Sequence, residues 1–85
     1  MKYIKKAVYV EACQFAGDEV DSGIPLSWIE DGDFDFGPRG EYIIIPSLRG
    51  NMRAEKGDYI IKDERGEYYS VKPSSFAHKY ELMDN

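Results

Sequence analysis

Glycines at positions 37, 40, 50, 57 and 66 cut the second half of the chain into short pieces. The pieces flanking them, FDF, EYIIIP, NMRA, YIIK and EYYSVKP, are rich in β-branched and aromatic residues. Runs this short cannot carry several helical turns, but they suit strands. Turn signals recurring roughly every 8–12 residues are the spacing of a small sandwich or barrel. Pro46 and Pro73 close two of the runs, because proline cannot donate to a ladder. In EYIIIP, Ile43, Ile44 and Ile45 are consecutive, so apolar groups fall on both faces of a strand. Either both faces are covered, or one meets a second subunit.

The first half adds one strand and one helix. In AVYVEACQF, Val8, Val10 and Ala12 share one face, while Tyr9, Glu11, Cys13 and Phe15 share the other. This reads as a strand with one face fully apolar. AGDEVDSG is a polar loop. In IPLSWIEDG, Pro25 suits the first turn of a helix, Leu26, Trp28 and Ile29 can dock it, and Gly32 stops it. Near the end, PSSFAHKY reads as one or two helical turns with Phe76 and Tyr80 on one face, and ELM offers a returning strand. A chain of 85 residues builds a single core, burying roughly 60–65% of its unfolded surface. The expected fold is one α+β, mainly β domain over residues 1–85. It is a small, strongly curved antiparallel sheet or barrel of five to six strands with two short helices.

The stretch DGDFDFGPRG tests whether this chain carries chemistry. Asp31, Asp33 and Asp35 imitate the start of a calcium loop. Such a loop needs glycine at its sixth position and glutamate at its twelfth, where this chain has Phe36 and Tyr42. In a strand, the three carboxylates face water while Phe34 and Phe36 enter the core, and GPRG turns the chain into a hairpin. Two exposed carboxylates lack the burial that would raise one pKa and leave the other ionised, so an acid–base pair is not expected.

Other reactive groups are few. Cys13 is the single cysteine and His78 the single histidine, which excludes an internal disulfide and a multi-thiolate zinc site. Cys13 lies in a strand pattern, where a small buried thiol is ordinary. No glycine-framed nucleophile and no phosphate loop occurs, so neither a catalytic residue nor a metal or cofactor is expected. MKYIKKAVYVEA has a basic start, but Glu11 interrupts its apolar run, so neither a signal peptide nor a membrane span is expected. A single cysteine fits a reducing compartment, and the expected location is cytoplasmic.

Charge is uneven. Residues 1–38 hold three bases and eight acids, and residues 39–85 hold eight of each. No base lies between Lys6 and Arg39. An acidic block repels nucleic acid and attracts basic partners. Its candidate partner-binding residues are Asp18, Glu19, Asp21, Glu30, Asp31, Asp33 and Asp35. Solvated loops are commonly acidic too, so the block alone does not define a site. A second set is Arg39, Arg49 and Arg53, in or beside the turns GPRG and SLRGNMR. If those turns share one end of a barrel, they form a basic patch, and Tyr42, Tyr68 or Tyr69 can add stacking surface for a small anionic nucleotide.

The segment KGDYIIKDERGEYYSVKP reads as structure. Asp58 bonds turn amides, Gly66 supplies a positive φ, and Ile60 faces inward with Tyr68 or Tyr69 across from it.

Three stretches together, MKYIKKAVYVEACQF, IPSLRGNMRAEKGDYII and GEYYSVKPSSFAHKY, resemble a group of small uncharacterised proteins from phages and prophages of bacteria. That group opens with M-[KR]-Y-x-K-K-P-V-x-V-E-A-x-Q-[FW] and carries L-x-G-x-M-x-A-x-P-G-D-Y-I-I. It closes with G-E-x-Y-x-x-K-P-x-x-F-x-x-x-Y-E. Ala7 and Lys56 stand where the group commonly has proline. The resemblance covers nearly the whole chain apart from residues 16–40. It implies an accessory protein acting inside a bacterial host cell, and it transfers no catalytic residue.

The leading expectation is therefore stoichiometric binding to a host component with a basic surface, inhibiting a host defence or nucleic-acid enzyme. One alternative is an oligomeric module sequestering a small anionic nucleotide or signal. Another is a virion or structural accessory protein.

Overall fold

The computed structural model describes residues 1–3, 9–48 and 50–82. Its elements in chain order are β1 (Glu11–Gln14), α1 (Leu26–Asp31), β2 (Asp35–Phe36), β3 (Tyr42–Ile45), β4 (Met52–Glu55), β5 (Tyr59–Lys62), β6 (Tyr68–Val71) and α2 (Pro73–Lys79). The fold is α+β and mainly β. The strands do not form one strongly curved sheet or a barrel. They divide into two three-stranded antiparallel sheets, ordered β1-β5-β6 and β2-β3-β4. The reason lies between Glu55 and Tyr59. There the Asp58 carboxylate accepts the Glu55 N–H at 2.9 Å, and the Asp58 N–H returns to the Glu55 carbonyl at 2.9 Å. This tight turn carries β5 away from β4 instead of pairing the two, and β5 takes β1 and β6 as neighbours.

The core lies between the sheets. Phe15, Ile24, Trp28, Phe34, Ile43, Ile45, Ala54, Ile60 and Tyr68 form one buried cluster, with Cys13, Ile29, Phe36 and Met52 packed against it. Period-two alternation selects its members within β3: Ile43 and Ile45 are fully buried while Tyr42 and Ile44 are half-buried. The outward Ile44 sits in register between Asp35 and Arg53.

In β1 the two faces exchange the roles expected of them. Cys13 and Phe15 belong to the core, while Ala12 is exposed on the other side. The N-terminal part of the expected strand, Ala7 and Val8, lies outside the described residues. β5 is covered on both faces, since Ile60 joins the central cluster and Ile61 is also fully buried on the opposite side. That opposite side is roofed by α2. The Phe76 ring stacks on Tyr59 with centroids 3.8 Å apart, and on Tyr80 at 5.1 Å.

The β5–β6 hairpin turns at Gly66, whose φ of 81° matches its expected role. Its register differs from expectation: Ile60 faces Ser70, whereas Ile61 faces Tyr69 and Lys62 faces Tyr68. Glu81 and Leu82 form no strand, and Met83 lies outside the described residues. Among the described residues no helix is long and apolar enough to cross a membrane.

Candidate functional site

The aspartates of DGDFDF do not alternate along one strand. Asp31 is the last residue of α1, Asp33 follows Gly32 with φ 55°, and only Asp35 and Phe36 are extended. The Phe34 N–H reaches the Ile29 carbonyl at 3.0 Å and the Asp33 N–H reaches the Glu30 carbonyl at 3.3 Å. This is the Schellman closure of a helix, with an aspartate in the left-handed position usually held by glycine. Phe34 still enters the core and all three carboxylates remain exposed. A helix end running into a loop, and not a strand, achieves that separation.

The remaining acidic candidates are also exposed. Asp18, Glu19 and Asp21 occupy the loop between β1 and α1. The Asp18 carboxylate accepts the Val20 N–H at 2.9 Å, and the Ala16 N–H closes the loop on the Ser22 carbonyl at 2.8 Å. Val20 stands almost fully exposed among these acids. The loop leans on the β2–β3 turn, where a Cβ added to Gly40 would lie 2.6 Å from the Glu19 nitrogen. Glu30, Asp31 and Asp33 cluster at the C-terminal end of α1, which has no basic residue in its last turn. Among the described residues none of the seven carboxylates forms an ion pair with a cation. Asp31 has one neutral partner, the Tyr68 hydroxyl at 2.8 Å.

Among the described residues of the second candidate set, Arg53 meets Tyr42. The Arg53 guanidinium lies 3.9 Å above the Tyr42 ring and its Nε is 3.3 Å from Glu55. Arg39 is exposed in the β2–β3 turn, and Arg49 lies outside the described residues. That turn precedes β3, and the turn closed by the Gly50 N–H on the Ser47 carbonyl follows it, so the two sit at opposite ends of the strand. Tyr68 is in the core against Trp28 and Phe34. Burial and the bond to Asp31 push its pKa up to about 12. Tyr69 is on the other face, its hydroxyl 3.0 Å from that of Tyr80, and burial together with this contact raises its pKa further.

The reactive groups are also kept apart. Cys13 lies on the core face of β1, where burial pushes its thiol up to about 11 and keeps it protonated. His78 is exposed on α2, across the sheet from that thiol. Among the described residues no three Asp, Glu, His or Cys side chains gather as a metal site.

Sequence reasoning paired Phe76 with Tyr80 but missed Tyr59 as their platform. The signal was present: Tyr59 precedes the inward Ile60, and alternation puts it on the opposite face. Beside this ladder, a groove of about 510 Å³ opens between α2 and β1, where Tyr9, Val10, Ala12, Tyr59, Phe76, Tyr80 and Leu82 are joined by the charged Lys79 and Glu81. Compared with known proteins, the chain matches no family model, no curated protein and no solved structure.

Proposed function

We propose that the protein works by stoichiometric binding, without catalysis, presenting the carboxylates of its first half to a basic surface on a partner. The observation that carries this reading is the placement of Glu30, Asp31 and Asp33 at the C-terminal end of α1. Carboxylates there meet the negative end of the helix dipole, a cost of about 0.3–1 kcal/mol each before salt screening. They also repel one another. Asp31 has a partner in Tyr68, while Glu30 and Asp33 compensate nothing among the described residues. A chain that holds charge where it weakens its own fold has a use for that charge outside the fold. The resemblance to phage and prophage proteins supports a host component, such as a defence or nucleic-acid enzyme, as the partner, and the bacterial cytoplasm as the setting.

The experiment is a pull-down from phage-infected bacteria at low and high salt, with a control carrying amides at Asp18, Glu19, Asp21, Glu30, Asp33 and Asp35. Charge attraction at a surface is screened within about 8 Å at physiological ionic strength. A basic protein held at low salt, released at high salt and lost by the control supports the reading. Equal retention by the control, or retention indifferent to salt, overturns it.

A further inference from the structure

We draw no further inference here: the strongest candidate, the aromatic-floored groove of about 510 Å³ between α2 and β1 on the outer face of the β1-β5-β6 sheet, is an apolar face for which nothing in the structure shows what covers it.

Discussion

The Tyr68 hydroxyl donates a 2.8 Å hydrogen bond to the Asp31 carboxylate, 37 positions away in the chain. It ties β6 to the end of α1 while the Tyr68 ring packs edge-on against Phe34 at 5.1 Å. Tyr68→Phe keeps the ring and deletes the bond, so urea unfolding should show a loss of about 1–2 kcal/mol. The same bond sets an alkaline limit. Burial and Asp31 raise the Tyr68 pKa from 10.0 to about 12, so folding favours the neutral phenol. That stabilisation is complete below pH 10 and is lost as pH climbs towards 12. Thermal melts from pH 9 to 12 should fall less steeply for the Phe variant. Identical slopes would refute the coupling.

Adjacent positions at the end of α1 should respond to substitution with opposite signs. Asp33 holds a left-handed backbone that glycine adopts freely, so Asp33→Gly should stabilise by about 0.5–1 kcal/mol. Gly32 has an ordinary φ of −85°, but an added Cβ would strike the Phe34 ring. Gly32→Ala should therefore destabilise by about 1–3 kcal/mol, as overpacking does. Denaturation midpoints of the two variants decide the matter, and a shift in the same direction for both would count against this helix ending.

Charge at that helix end separates stability from binding. Glu30→Lys should raise the melting temperature slightly, by the equivalent of about 0.3–1 kcal/mol, because a cation suits the helix C-terminus. The same change should weaken partner capture at low salt. A variant that becomes more stable and binds as before would remove the argument for an acidic recognition surface.

Asp58 is 4% exposed and accepts from both the Glu55 N–H and the Lys72 ammonium, each at 2.9 Å. Asp58→Ala leaves a turn amide without its acceptor and should cost about 1–3 kcal/mol. Lys72 is the solvent-exposed partner, its pKa raised by the bond to Asp58. Lys72→Met should have a much smaller effect, measured by the same urea titration. An equal loss in both would show that the ion pair, and not the turn, dominates.

The α2 layer depends on rings. Phe76→Ala removes the 3.8 Å stack on Tyr59, worth about 0.5–1.5 kcal/mol beyond area burial. Hydrogen exchange should then accelerate at the amides of Phe76 and Tyr80 and leave those of β3 and β4 unchanged. Protection lost uniformly across the chain would mean that α2 is integral to the core.

Local signals carried the elements, and long-range geometry escaped them. Pro25 and Gly32 bracket α1, Pro73 opens α2, and Gly66 turns the last hairpin, because each acts through its own backbone. The three aspartates misled because alternation in DGDFDF satisfies a strand as well as it satisfies a helix end running into a loop. Only the bond from the Phe34 N–H to the Ile29 carbonyl separates the two, and it has no signature in residue type. The division into two sheets was hidden for a similar reason. It depends on β5 leaving β4 at the Asp58 turn and pairing with β1 instead, and residue types mark the turn but not the strand to which it delivers the chain. A basic patch of Arg39, Arg49 and Arg53 required their turns to share one end of the domain, and turn residues reveal their strands but not which end they reach.

The pairing of Ala12 with Ile61 also orders events during synthesis. β2, β3 and β4 are contiguous and can zip together as they leave the ribosome. β1 must wait until β5 has emerged, and closing so long a loop slows the step. Until then the apolar side of β1, with Cys13 and Phe15, has no sheet to cover it, and exposed surface of that kind is where a nascent chain is prone to aggregate.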